Sequence, residues 1–128
     1  MKLVLVHRYL VFSGIKSYGS KSVDSEGRTH FGVDLLHPTK RPLIDVEIHT
    51  ELDFEVLSLI KKVSGGNPIQ VWTQLEVYCK SRNLPVLVVL KDFLKGKLLL
   101  QDIQSPGLRT FKSGKYIYTI FPSVNRSF

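Results

Sequence analysis

The segment PLIDVEIHT, residues 42–50, places three ionisable side chains at alternate positions, Asp45, Glu47 and His49. Because strand side chains alternate between two faces, these three would share one surface while the intervening apolar residues face the other. Neighbouring carboxylates bind a hard cation such as Mg²⁺ through oxygen ligands. A metal held there would activate water and neutralise charge on a phosphodiester. The alternative for the same pattern is an amphipathic strand whose charged side is simply solvated.

A second carboxylate comes from the preceding segment, where Phe31 to Leu36 reads as a short strand that ends before His37-Pro38. We expect this strand to pair as a hairpin with the strand at 43–49. Asp34 would then approach Glu47 closely enough to share one cation, with Asp45 as an auxiliary ligand.

The elements that must position these residues are predicted from periodicity and from residues that begin or end helices. Helices are expected at 52–63, ended by Gly65-Gly66, and at 68–82, begun by Asn67-Pro68 and ended by Asn83. The remaining strands are expected at 2–12, 84–90, 97–103 and 115–121, with a loop over 14–30. The prediction is one α/β domain, 1–128, with a mixed β-sheet and packed helices.

Composition restricts the classes of function. The single cysteine, Cys79, excludes an intrachain disulfide and a cysteine-rich zinc site, and it favours a reducing, cytoplasmic location. No apolar run reaches the roughly 18 residues that a membrane span requires, so no membrane partner is expected.

Charge favours a polyanionic partner, because the formal net charge is +7 and the pI is near 9.6. Residues 43–60 are an acidic exception, with five Asp and Glu and no Lys or Arg. The segment GIKSYGSK, 14–21, approaches a phosphate-binding P-loop, but its Ser and Lys stand in the wrong order. We interpret it as part of a basic loop whose Lys16, Lys21 and Arg28 contact DNA phosphates.

The segments GVDLL, PLIDVEIHT and LPVLVVLK together resemble the core of the PD-(D/E)XK nuclease superfamily, over roughly residues 31–91. The resemblance implies a restriction-endonuclease-like fold with Asp34 and Glu47 as ligands of Mg²⁺ or Mn²⁺. His49 stands at the position of the family's lysine, and Lys91 would supply the missing cation. Gln74 or Gln70 would match a glutamine that some relatives carry on the following helix, and a homodimer is expected for cutting both strands of a duplex.

The leading hypothesis is therefore a metal-dependent DNA endonuclease. A second hypothesis is a non-catalytic basic module that binds nucleic acid or supports assembly. A third is a viral or mobile-element accessory protein that binds another protein through its sheet face.

Overall fold

The computed structural model describes residues 3–13, 20–24, 26–37, 42–48, 54–104 and 106–122. These residues form two antiparallel sheets and four helices, so the predicted α/β class is confirmed. The four-stranded sheet has the order β1-β2-β4-β3, with β1 at Leu3–Val6, β2 at Tyr9–Ser13, β3 at Ser20–Val23 and β4 at Thr29–Asp34. The three-stranded sheet has the order β5-β7-β6, with β5 at Leu43–Ile48, β6 at Arg109–Ser113 and β7 at Tyr116–Phe121.

All four helices lie between β5 and β6 in the chain. Their bounds are Phe54–Ser64 for α1, Pro68–Arg82 for α2, Val86–Leu94 for α3 and Leu100–Ile103 for α4. None of the helices in the described ranges is long and apolar enough to cross a bilayer.

The two sheets pack against each other through buried side chains of β2, β5 and β7. Gly32 of β4 allows this contact, because a Cβ atom there would lie 2.9 Å from Cδ1 of Ile120 and 3.3 Å from Cδ1 of Ile44. The alternation along β5 is as predicted, but Ile44, Val46 and Ile48 face the other sheet rather than a helix. The residues of this core are Tyr9, Val11, Ile44, Val46, Tyr118 and Ile120.

Helix α2 covers the other face of the three-stranded sheet and separates it from the remaining helices. Val71, Leu75 and Cys79 recur at a spacing of one helical turn and pack on α1, α3 and α4. The opposite side of α2 contacts β5 and β7, for example through Thr73 and Thr119, whose hydroxyl oxygens lie 2.6 Å apart.

Local signals placed α1 and α2 correctly. The Asn67 side chain accepts hydrogen bonds from the backbone N–H groups of Ile69 and Gln70, and Pro68 occupies the first turn. Asn83 ends α2 in the left-handed conformation at φ 54°, and Gly65, at φ 70°, follows α1.

The predicted strand at 84–90 is wrong, because this segment forms the start of α3. A short apolar run does not distinguish a strand from a buried helix by itself. Beyond residue 90 the pattern continues at helical spacing, and Val89 and Phe93 are buried with Val86, Leu90 and Leu94 packed beside them. The predicted mixed sheet is therefore replaced by two purely antiparallel sheets.

Four other segments differ from their predictions. Residues 2–12 were expected as one strand, but β1 and β2 pair as a hairpin through His7 and Arg8. The expected loop over 14–30 contains β3 and the start of β4, and 97–103 forms a turn and α4 instead of a strand. Strand β6 lies between the predicted strands at 97–103 and 115–121, where no element was expected. It pairs with β7 through a two-residue turn, Gly114-Lys115.

Candidate functional site

The predicted pairing of β4 with β5 does not occur, because the two strands belong to different sheets. Asp34 is buried at the end of β4, where its Oδ2 lies 3.0 Å from Nη2 of Arg8. Its Oδ1 accepts a hydrogen bond from the backbone N–H of Leu36 at 3.1 Å. Both carboxylate oxygens therefore have structural partners, and Asp34 fastens the β1–β2 turn to the end of β4.

Asp45 and Glu47 share one face of β5, as predicted, but that face is covered by α2. The indole Nε1 of Trp72 donates a hydrogen bond to Oε1 of Glu47 at 3.1 Å. Asp45 is 6% exposed, and its Oδ1 lies 3.7 Å from the ammonium nitrogen of Lys80. Its Oδ2 is buried without a hydrogen-bond partner among the described residues.

Burial has the largest effect on the pKa values of the carboxyl groups between β5 and α2. It raises the pKa of Asp45 well above its ordinary value, and the attraction of Lys80 opposes the shift only in part. Burial also raises the pKa of Glu47 and of Glu76, a neighbouring carboxyl on α2. Asp45 is thus neither solvated nor strongly stabilised in its ionised form, whereas Glu47 is half-buried.

The strand pairing on which the expected Mg²⁺ site depends is absent, because β4 and β5 belong to different sheets. No group of three or more His, Cys, Asp or Glu side chains in the described ranges is arranged to hold a metal ion. Asp34, the first predicted ligand, forms an ion pair with Arg8 and accepts a hydrogen bond from the backbone N–H of Leu36. His49, the third ionisable residue of the predicted site, lies outside the described residues, so its part of the hypothesis stays a prediction.

The other predicted site residues are scattered. Lys91 is exposed on α3 rather than at the end of a strand. Gln74 is 6% exposed and faces the protein interior. Lys16 and the Lys21 side chain lie outside the described residues, although the Lys21 backbone belongs to β3.

Gln74 instead belongs to a chain of polar side chains between α2 and the three-stranded sheet. Its amide nitrogen donates to Oγ1 of Thr110 at 2.9 Å, and the Thr110 and Thr119 hydroxyl oxygens lie 2.9 Å apart. Thr73 donates to the carbonyl of Gln70, so its oxygen accepts from Thr119. Because each hydroxyl has one proton to donate, the donors follow one order, from Gln74 to Thr110, from Thr110 to Thr119 and from Thr119 to Thr73.

Arg28 is the predicted nucleic-acid contact that the structure places at a cavity. The cavity has a volume of about 300 Å³ and lies where β1 and β2 meet the β6–β7 turn. Its lining combines cationic, aromatic and hydroxyl side chains: Val4, Ser13, Arg28, Ser113, Gly114, Lys115, Tyr116 and Tyr118.

The loop that carries Arg28 is held in place by the buried carboxylate of Asp24. Oδ1 of Asp24 accepts from the backbone N–H groups of Glu26 and Arg28, at 2.9 and 3.0 Å. Burial opposes ionisation of Asp24, but the hydrogen bonds from His30 and from these N–H groups outweigh it and lower its pKa. Gly27 completes the turn at φ 81°. The backbone of Arg28 is therefore fixed at the cavity.

Behind this loop, a buried histidine joins the two sheets. Nε2 of His30 lies 2.7 Å from Oδ2 of Asp24, and Nδ1 lies 2.8 Å from the hydroxyl of Tyr118. Since the carboxylate only accepts, Nε2 carries a proton and donates to Asp24. Burial raises the pKa of Tyr118 to about 12, so its hydroxyl is protonated in its hydrogen bond with Nδ1 of His30.

Two turns form the rim of the cavity, and an ion pair between Glu26 and Lys115 links them. The Lys115 ammonium also lies 5.4 Å from the ring centroid of Tyr116. Tyr116 itself contacts His30 edge-on, with ring centroids 4.6 Å apart. Its hydroxyl is buried and has no hydrogen-bond partner in the part of the chain that the structure describes.

No short-range pattern predicts this cavity, although Arg28 is a predicted phosphate contact and Tyr116 and Tyr118 lie in the predicted strand at 115–121. One local signal in the sequence indicates a part of the cavity lining, the β6–β7 turn. The segment RTFKSGKYIYTIF has two β-rich runs around Gly114-Lys115, which is a hairpin pattern. It predicts the β6–β7 turn, but not that Arg28 lies beside it.

Comparison of the chain with models of protein families, with curated proteins and with solved structures gives no match.

Proposed function

We propose that this protein is a nucleic-acid-binding module whose contact site is the cavity at Arg28. The observation that carries the proposal is the combination of Arg28, Lys115 and Tyr116 around one cavity. Arginine and lysine bind phosphate oxygens, and aromatic rings beside them contact bases, which is how sequence-tolerant nucleic-acid sites are built. Described side chains offer the Arg28 guanidinium no hydrogen bond or ion pair, so it is available to a phosphate.

The distribution of charge supports a polyanionic partner. Asp24, Asp34 and Asp45 are each at most 6% exposed, and Glu47 is half-buried against Trp72. Much of the negative charge is therefore inside the protein, whereas many cations lie on its surface. The exposed basic residues include Lys61, Lys62, Lys91, Lys95, Lys97, Arg109, Lys112 and Lys115. The surface field is thus more positive than the net charge alone indicates.

The proposal is tested by the affinity of the protein for a labelled oligonucleotide over a series of salt concentrations. We expect Arg28→Gln to weaken binding about 3- to 10-fold and to lower the salt slope by about 1, because one phosphate contact is lost. Lys91→Gln is the matched control, since it removes the same charge from an exposed position on α3 that does not line the cavity. Equal losses in both variants, or no salt-dependent binding, would contradict the assignment.

The endonuclease hypothesis, with its restriction-endonuclease-like fold and Mg²⁺ or Mn²⁺, stays a prediction. One observation supports a metal ligand role for this face: Asp45 and Glu47 lie on the same face of β5, and Oδ2 of Asp45 has no hydrogen-bond partner among the described residues. Trp72 is the only tryptophan and contacts Glu47. Paramagnetic Mn²⁺ bound at Glu47 would therefore quench its fluorescence. Quenching lost in Glu47→Gln, together with metal-dependent DNA cleavage, would support the enzyme, and absence of both would exclude this site.

A further inference from the structure

Helix α3 carries apolar side chains on the side that faces solvent as well as on the side that is buried. Leu87 is 69% exposed and Val88 is 53% exposed, and Leu84, three residues before Leu87, is exposed as well. The other side of α3 is already in the core, where Val89 and Phe93 are buried. A helix that is apolar all round is normally covered all round. The solvent side of α3 is therefore a candidate surface for a partner.

The charged groups beside these apolar side chains are cationic. Lys91 follows Leu87 by four residues and Lys95 follows Lys91 by four, so both lie on the same side of the helix as the leucine. We call this surface, formed by Leu84, Leu87, Val88, Lys91 and Lys95, the outer face of α3. Lys97 is exposed just beyond it, whereas Asp92 is only partly exposed.

The composition of the outer face restricts the chemistry of its partner. The partner must cover apolar side chains and also offer anionic groups to the lysines. A second copy of the same face meets the first condition but not the second, because it would bring lysines against lysines. Charge complementarity therefore favours an anionic partner over self-association.

The position of α3 in the fold determines the shape of this surface. Helix α2 separates α3 from the three-stranded sheet, so α3 belongs to the outermost layer of the protein. Helices α1 and α3 contact each other, and the outer face is the convex side of a single helix. A peptide helix docks into a groove, whereas the boundary between headgroups and acyl chains of a bilayer accepts a protruding apolar row with lysines beside it.

We propose that the outer face of α3 binds the surface of an anionic phospholipid bilayer. Leu87 and Val88 lie at the edge of the acyl chains, and Lys91 and Lys95 lie among the headgroups. Because α3 has nine residues, it lies along the bilayer surface and does not cross the bilayer. This surface is separate from the cavity at Arg28, whose lining contains no residue of α3.

The experiment measures co-sedimentation of the protein with vesicles of phosphatidylcholine, either pure or containing about 30% phosphatidylserine. We expect at least about 10-fold tighter binding to the anionic vesicles, and weaker binding as the salt concentration rises. Leu87→Gln should weaken this binding about 5- to 10-fold, because one inserted apolar side chain is lost. Lys95→Gln should weaken it about 3- to 5-fold, because one attraction to the headgroups is lost.

Leu36→Gln is the matched control. Leu36 is 63% exposed, and it follows β4 of the four-stranded sheet rather than lying in the helical layer. We expect this variant to bind anionic vesicles as the wild type does. Since Leu87 is exposed, the melting temperature of Leu87→Gln should stay at that of the wild type, which separates lost binding from lost folding.

Equal binding to the two kinds of vesicle, equal losses in Leu36→Gln and Leu87→Gln, or no vesicle binding would overturn the inference. A dimer in solution that Leu87→Gln dissociates would also overturn it, because a second copy would then cover the outer face. Oligonucleotide affinity distinguishes this result from the test of the proposed function. Leu87→Gln should leave that affinity unchanged, and Arg28→Gln should leave vesicle binding largely unchanged.

Discussion

At the scale of single residues, the molecule shows that a carboxylate pattern does not by itself define a site. Asp34, Asp45 and Glu47 are at the strand positions that a metal site would use. Each is instead placed against a different partner, Arg8, Lys80 and Trp72 respectively. The partners decide the chemistry, because a carboxylate that is already bonded or buried has less affinity for an external ligand.

Asp45 provides a direct test of how burial affects a carboxylate in this protein. Because the pKa of Asp45 is raised on folding, the native state binds its proton more tightly than the unfolded state. Its contribution to the free energy of unfolding therefore falls as the pH rises from about 4 through the native pKa. We expect Asp45→Asn to be more stable than the wild type at neutral pH, by about 1 kcal/mol, because the uncharged amide avoids burying an incompletely paired charge.

The measurement is denaturant unfolding followed by Trp72 fluorescence at several pH values. The advantage of Asp45→Asn should shrink as the pH falls below about 4, where the wild-type carboxyl becomes protonated in both states. Asp92→Asn on α3 is the control and should show no such trend, because its side chain lies outside this buried face. A variant less stable than the wild type at neutral pH would show that the Lys80 ion pair outweighs the cost of burial.

At the scale of elements, α2 is joined to the three-stranded sheet by polar as well as apolar contacts. The chain of bonds from Gln104 through Gln74, Thr110 and Thr119 to Thr73 crosses the interface and fixes the rotation of the helix on the sheet. A fully satisfied polar chain specifies one arrangement, whereas an apolar interface tolerates small rotations.

Thr119→Val tests this interface, because it keeps the shape of the side chain and removes the central hydroxyl. The Thr110 proton and a Thr73 lone pair then lose their partners inside the protein, and we expect a loss of about 1–3 kcal/mol in unfolding free energy. Thr29→Val at the start of β4 is the control, since Thr29 is half-exposed and outside the chain. If both variants lose the same stability, the polar chain contributes nothing beyond β-strand packing.

At the scale of the whole molecule, the contact between the two sheets places the Arg28 loop beside the β6–β7 turn. Gly32 allows the sheets to approach, because its missing Cβ leaves room for Ile120 and Ile44. The Asp24, His30 and Tyr118 bonds connect the sheets at the same level as the cavity. The proposed site thus exists only when both sheets are packed together.

Gly32→Ala should therefore affect both stability and binding. The added methyl group would lie 2.9 Å from Cδ1 of Ile120, and we expect overpacking to cost about 1–3 kcal/mol. Oligonucleotide affinity should fall in the folded variant, because the sheets must shift beneath the cavity. Gly66→Ala is the control, since its nearest contact would be 3.8 Å and its backbone is not in the left-handed region. Unchanged melting temperatures in both variants would contradict this account of the sheet contact.

The amino-acid sequence by itself determined the features that depend on near neighbours in the chain. The caps of α2 at Asn67 and Asn83, the stop at Gly65 and the alternation along β5 follow from backbone and side-chain geometry within a few residues. The excess of basic over acidic residues is also a property of the sequence alone.

Only the tertiary structure decided which faces are covered and which distant residues meet. Periodicity shows that Asp45 and Glu47 share a face, but not that α2 covers it, because burial depends on contacts between elements. In the same way, the run from Val86 onward is apolar enough for a strand or a helix, and packing on α2 selected the helix. Arg28 and Tyr116 come together because two sheets formed from separate parts of the chain pack face to face, and no short-range pattern encodes that approach.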